Sequence, residues 1–207
     1  MNRSSQIKEV EEFTRQFISG YDGGHDWWHL KRVRNLALYI QKKEKKGNRF
    51  VIELSALLHD IGDSKFINAE RKDYETEVLD LLDNLNIDKS IIEEVIFINR
   101  NISFSKGLTP AKISHEFMIV QDADRLDAIG AIGIARAFNY GGFINNSIYD
   151  PDGKEPSTIR HFYDKLLKLK DLMNTPTGQM IAMDRHNFLE LFLDQFYNEW
   201  HLDDKRE

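Results

Sequence analysis

The sequence predicts an all-α protein, a helical bundle forming a single domain over residues 1–207. Apolar residues recur three and four positions apart in most segments long enough to show a period, and no run alternates apolar and polar residues as a half-buried strand would. The boundaries between periodic segments carry helix punctuation: Asp26 stands before one run, lysines precede Gly47 at its end, and Pro110 opens another. With 207 residues, 41% hydrophobic and 30% charged, the chain is long enough to bury a full core.

Each element can be read in order. Ile7, Val10, Phe13, Phe17 and Ile18 form an apolar stripe closed by Gly20. After the turn Tyr21-Asp22-Gly23-Gly24, Asp26 caps a long helix carrying Trp27, Leu30, Val33, Leu36, Ala37 and Ile40. That helix ends in the charged run from Gln41 to Gly47, a solvated stop. A further helix starts near Phe50 and carries Leu54, Leu57, Leu58 and Ile61. Residues 73–85 and 88–99 read as two amphipathic helices, followed by a polar loop over 101–107. The helix opened by Pro110 runs through Ile113, Phe117 and Val120 into the Asp124 region and on toward Phe138. Residues 140–157, rich in Gly, Asn, Asp and Pro, are expected to form a surface loop. Residues 158–173 and 175–200 are two closing helices. The second carries Phe188, Leu191, Phe192, Gln195, Phe196 and Trp200, expected in the core or between two copies of a homodimer. The motif-bearing core thus spans about 24–139 and the closing helices about 158–201.

Composition removes several classes of function. The formal net charge is -6 and no long basic tract is present, which argues against a nucleic-acid partner. There is no cysteine, so disulfides, thiolate metal sites and a cysteine nucleophile are excluded together. Residues 1–18 are charged throughout without an apolar signal core, and no run approaches the roughly 20 apolar residues of a membrane span. No membrane association is expected, and the expected location is cytoplasmic.

The chemistry concentrates where the apolar run ending at Leu58 meets His59 and Asp60. A histidine and an aspartate at the end of a core helix are costly to bury unpaired, and a metal ion would satisfy both. Upstream, Gly24-His25-Asp26-Trp27-Trp28-His29 offers a further imidazole from His25 or His29; downstream, Asp122-Ala123-Asp124-Arg125-Leu126-Asp127 offers carboxylates. Helix ends can project such groups into a shared bundle interior. A mixed nitrogen and oxygen set suits Mn²⁺, Fe²⁺, Co²⁺, Ni²⁺ or Zn²⁺, whereas Mg²⁺ and Ca²⁺ sites favour oxygen alone.

Together, His29, His59-Asp60 and Asp124 resemble the H…HD…D signature of the HD superfamily of metal-dependent phosphohydrolases. With His25-Asp-Trp-Trp-His29, His59-Asp-Ile-Gly-Asp-Ser-Lys-Phe66 and Ser103-Phe-Ser-Lys-Gly107 added, the chain is similar to a bacterial branch associated with nucleotide pyrophosphohydrolysis. The resemblance implies an all-α HD domain with His29, His59, Asp60 and Asp124 as ligands of one divalent ion, Mn²⁺ first and Mg²⁺ also possible. It makes His25 a group on the substrate side. Only His115 lies between the doublet and Asp124, too few histidines for the usual second metal, and it is expected to be a surface or structural residue.

A small-molecule nucleotide substrate then needs further groups. Asp63, three residues beyond Asp60, is the candidate for proton transfer. Lys106 is the leading phosphate cation, in a loop where Ser103, Ser105 and Gly107 supply donors and room. Arg32, Lys65, Arg125 and Arg136 are further candidates for binding phosphate, with Arg160 and Arg185 weaker ones. Asp127 is expected to bond a ligand or a basic residue. The implied reaction is hydrolysis of nucleoside triphosphates to monophosphate and pyrophosphate. Its alternatives are phosphate release from nucleoside monophosphates and a module that senses nucleotides without turnover.

Overall fold

The computed structural model describes residues 1–19, 26–61, 74–102 and 113–201. These form α1 (Arg3–Phe17), α2 (Trp27–Glu44), α3 (Arg49–Leu58), α4 (Tyr74–Asn84), α5 (Lys89–Asn101), α6 (His115–Asp127), α7 (Gly130–Phe143), α8 (Thr158–Asp164), a 3₁₀ helix (Leu166–Leu172) and α9 (Pro176–His201). Among the described residues the fold is all-α, with one isolated bridge, Ser147 to Ser157, and no strand. No described helix is long and apolar enough to cross a membrane. The chain groups into two compact units, Met1–Asp124 and Arg125–Glu207.

In the first unit α3 is central because it is apolar almost all round. Ile52, Leu54, Ala56, Leu57 and Leu58 are fully buried, and Phe50 and Val51 nearly so. A helix without a polar face must be surrounded, and α1, α2 and α5 pack on α3. Side-chain caps fix where the three N-terminal helices begin: Asn2 accepts from Ser5 N at 2.9 Å, Asp26 from His29 N at 2.9 Å and Asn48 from Phe50 N at 3.0 Å. The expected cap at Asp26 is thus formed. The lysine-rich end of α2 closes as Lys45 turns left-handed, with φ 56°. On α6, the ring of Phe117 meets Phe97 of α5 at 6.1 Å, and Ser114 just before the helix donates to Glu94.

In the second unit α9 packs against α7 and the 3₁₀ helix. Phe138, Phe162 and Phe192 meet there with centroids 5.7–6.0 Å apart. The loop after α7 is tied at both ends, with Thr158 N donating to Ser147 O at 2.9 Å and Ile159 N to Ile148 O at 3.0 Å. Residues 144–157 form the surface loop expected from composition, whereas residues 140–143, expected in that loop, continue α7.

Several features differ from the sequence reading, beginning with α6, which starts at His115 although its helix was expected to include Ile113. The run through Asp124 toward Phe138 is not one helix: α6 stops at Asp127 and α7 starts at Gly130. Gly130 has φ +76°, and a Cβ on Gly133 would stand 2.2 Å from the Ala128 carbonyl oxygen, so both positions need glycine. The helix expected over 158–173 breaks at Lys165, and the remainder winds as 3₁₀. Three residues per turn put Leu166 and Leu169 in one row, and both are buried. On α9 the stripe is displaced, burying Ala182, His186, Leu189 and Leu193, while Phe188 and Leu191 are 45% and 63% exposed. Phe188, Leu189, Leu191, Phe192 and Leu193 make that helix apolar on several faces, so its periodicity cannot choose one.

Leu57 is fully buried two residues before the His59-Asp60 doublet. Leu57→Ala is expected to lower the unfolding free energy by about 2–5 kcal/mol, read as a reduced urea midpoint at unchanged m. A loss below about 1 kcal/mol would mean that α3 is not the packed centre of its unit.

Candidate metal centre

Three helix termini bring the donors together. His29 is the third residue of α2, and the Asp26 cap holds its backbone N–H, fixing the first turn from which the imidazole projects. His59 and Asp60 stand where the apolar α3 gives way to a turn, with Ile61 N donating to Leu58 O at 3.0 Å. Asp124 lies in the final turn of α6.

The polar atoms converge closely. His29 Nε2 lies 3.3 Å from Asp60 Oδ2 and 3.5 Å from Asp124 Oδ1. His59 Nε2 lies 3.6 Å from Asp60 Oδ1 and 3.6 Å from Asp124 Oδ1. The two imidazoles meet edge to face, with centroids 5.3 Å apart. Donor atoms of His29, His59 and Asp124 all lie within 4.8 Å of one another. Donors bound at about 2.1 Å to a common ion have comparable separations. The imidazoles form a dry floor, with side chains 0% and 2% exposed, while Asp124 at 33% marks the side open to solvent.

One atom shows that the group fits a cation. His59 Nε2 is buried without a hydrogen-bond partner, an arrangement that native interiors rarely keep without a further ligand. His59 Nδ1 lies 3.0 Å from the Ala56 carbonyl oxygen. With Nδ1 donating there, the lone pair of Nε2 is directed inward, the usual tautomer of a metal-binding histidine. Sequence reasoning missed the Ala56 carbonyl. Its signal was available: carbonyl groups in the last turn of a helix lack intrahelical donors, and Ala56 stands three residues before His59.

Electrostatics follow from the clustering. Burial would lower the His59 imidazole from 6.5, but Asp60 and then Asp124 outweigh it and push it up to about 9. Burial pushes Asp124 up, yet the facing His59 and then His29 hold it below the ordinary carboxylate range. Without metal, a proton on His59 therefore compensates the carboxylates.

The other residues singled out in the sequence fall in different places. His25, Asp63, Lys65 and Lys106 lie outside the described residues. Arg32 is half-buried on α2. Arg125 donates to the Leu172 carbonyl, and Arg136 pairs with Asp127 at 2.9 Å. Asp127 thus meets a basic residue, as expected of it. Arg185 donates to the Leu126 carbonyl at 2.5 Å. His115 is exposed at the start of α6.

Comparison with known proteins places this geometry in a family. The HD domain family matches residues 27–129, a span containing all four converging residues. A solved Bacillus thuringiensis protein described as an HD-superfamily hydrolase is 39% identical, with TM-score 0.79 over 97% of this chain and 99% of its own. This chain belongs to the HD-domain superfamily. It is also similar to the Bacillus subtilis protein YpgQ, 41% identical over 197 residues that cover 94% of each chain. The structure of YpgQ in complex with ADP matches with TM-score 0.79 and 36% identity, over 93% of this chain and 97% of that one. HD domains bind divalent metals, and this chain is in general class a metal-dependent phosphohydrolase.

The proton on His59 sets the pH dependence of metal binding. The raised group is protonated below about 9, while a ligand must be neutral. Metal entry therefore expels a proton, and apparent affinity is expected to rise from pH 6.5 toward pH 9, by up to about tenfold per unit. Calorimetric Mn²⁺ titrations in buffers of different ionisation enthalpy would measure that release. Affinity that stays flat or falls over this range would refute the protonated cluster.

Proposed function

We propose that this HD domain hydrolyses nucleoside triphosphates to the monophosphate and pyrophosphate. The ligands would be His29, rather than His25, with His59, Asp60 and Asp124, around one divalent ion with Mn²⁺ first among the candidates. The observation that carries the reading is the convergence of two buried imidazoles and the Asp124 carboxylate, with Asp60 oxygens 3.3 and 3.6 Å from the two imidazoles, in a cluster open on the Asp124 side. ADP bound to the related YpgQ supports a nucleotide as the substrate class. The N/O donor set favours a transition metal over Mg²⁺.

When bound, the ion would supply positive charge for a phosphate oxygen and Lewis acidity for activating water. The chain's own groups do the rest. His29 and His59 are held by buried packing and the Ala56 carbonyl, so their lone pairs need little reorganisation. Asp60 and Asp124 bring two negative charges, which offset those of a divalent ion and limit its pull on the anionic substrate. Asp63 is the proposed acceptor for the proton of the attacking water. The new bond forms at the α-phosphorus, the bond to the bridging oxygen breaks, and pyrophosphate leaves with that electron pair. Lys106 is the leading cation for the departing phosphates, with Arg32, Lys65 and Arg125 as further phosphate-binding candidates and His25 on the substrate side, whereas Arg136 is engaged by Asp127.

The test is a panel of nucleoside mono- and triphosphates offered to metal-stripped protein with Mn²⁺, Mg²⁺, Co²⁺ or Ni²⁺, assaying phosphate and pyrophosphate separately. Pyrophosphate from triphosphates is expected, with both metal and turnover lost in His59→Ala. Asp63→Ala should keep the metal while turnover drops by roughly 10²–10⁴; full turnover would remove Asp63 from the mechanism. Phosphate from monophosphates would instead identify a nucleotidase, and tight nucleotide binding without release would identify a sensor.

A further inference from the structure

The last turn of α6 is held by donors from outside the helix. A helix leaves its final four carbonyl oxygens without internal donors, and that end carries partial negative charge that suits cations. Arg185 of α9 donates from Nη1 to the Leu126 carbonyl at 2.5 Å. Arg136 of α7 donates from Nη1 to the Asp127 carbonyl at 3.3 Å and to its carboxylate at 2.9 Å. This second pair is well shielded, with side chains 16% and 1% exposed.

The backbone makes room for the first of these arginines. Gly130 has φ +76°, and a Cβ there would stand 3.0 Å from Arg185 Cγ and 3.1 Å from its Cβ. The stem of Arg185 therefore lies against a position where only glycine fits both the conformation and the space. Arg185 and Gly130 act together: the glycine leaves room for the arginine stem, and the guanidinium adds a second donor to the Leu126 carbonyl, which also accepts from Ile129 N at 3.2 Å.

Asp124 lies two residues before Leu126 and three before Asp127, within the same helical turn. Carbonyls held by planar guanidinium groups cannot fray or rotate freely, and Asp124 turns with the backbone that bears them. We propose that Arg185 and Arg136 are positioning residues for the metal centre, fixing the Asp124 carboxylate by clamping the C-terminal carbonyls of α6. The inference rests on the reading of Asp124 as a ligand. Neither arginine needs to touch metal or substrate to act, and for Arg136 this is a different role from binding phosphate.

The experiment is Mn²⁺ binding to the metal-stripped full-length chain, by competition with a chromophoric chelator, alongside far-UV circular dichroism and thermal melting of the metal-free proteins. Arg185→Met removes the donor and keeps most of the stem; its Mn²⁺ dissociation constant should rise about tenfold or more, with helicity unchanged. Arg185→Lys, which keeps a cationic donor, should recover most of that loss. Lys154→Met, on a 76%-exposed side chain away from these carbonyls, should leave affinity unchanged. Equal affinity in wild type and folded Arg185→Met would overturn the clamp while leaving the metal centre standing. Absence of binding in the wild type would instead overturn the centre and the clamp with it. If Arg185→Met does not fold, Gly130→Ala carries the same test by displacing the Arg185 stem: weakened Mn²⁺ binding supports the clamp and unchanged binding overturns it.

Discussion

Two imidazoles and two carboxylates share one largely buried point, and much of the structure answers to the cost of placing them there. Desolvating an ionised group costs about several kcal/mol even after relaxation, and only close, well-oriented opposite charge recovers it. Without a cation, the cluster keeps a proton on His59 between Asp60 and Asp124. The same requirement makes the cluster selective: any occupant must be positive, compact and able to take nitrogen as well as oxygen ligands.

The fold supplies rigidity from separate sources. Asp26 fixes the start of α2 and hence the turn bearing His29. The burial of α3 on all sides leaves its C-terminal doublet little freedom, and the Ala56 carbonyl settles which nitrogen of His59 faces the cluster. On α6, contacts near the N-terminal end through Phe117 and Ser114 are matched by arginine donors at the C-terminal end. The four groups lie near helix termini, where the direction of a side chain depends on capping as much as on helical period. That dependence gives apparently structural residues such as Asp26 and Gly130 a bearing on the chemistry.

Much of this was legible because it depends on local rules. The cap at Asp26, the end of α2 before Gly47 and the burial of Leu54, Leu57, Leu58 and Ile61 follow from residue type and spacing alone. The donors were also legible, since a His-Asp doublet closing an apolar helix has few comfortable unpaired environments. The break between α6 and α7 was not read, although Gly130 and Gly133 stand in the sequence. A glycine inside an apolar periodic run signals a break only when the carbonyl it must approach is known, here that of Ala128. Which face of α9 enters the core of its own unit was not legible for a related reason, because a helix apolar on several sides is oriented by its neighbours.

The sequence by itself determined the helical class, the termini rich in caps and stops, and the residue types able to form a nitrogen and oxygen metal site. These are properties of spacing, and they hold wherever the helices lie. Tertiary structure alone decided that the Nε2 atoms of His29 and His59 stand 3.3–3.6 Å from carboxylate oxygens of Asp60 and Asp124, that His59 Nε2 is buried without a hydrogen-bond partner, and that Arg136 and Arg185 turn to backbone carbonyls. Donors 30 and more residues apart in the chain converge only when packing fixes the helices that carry them. The destination of a long arginine side chain is set by which acceptor packing leaves within reach.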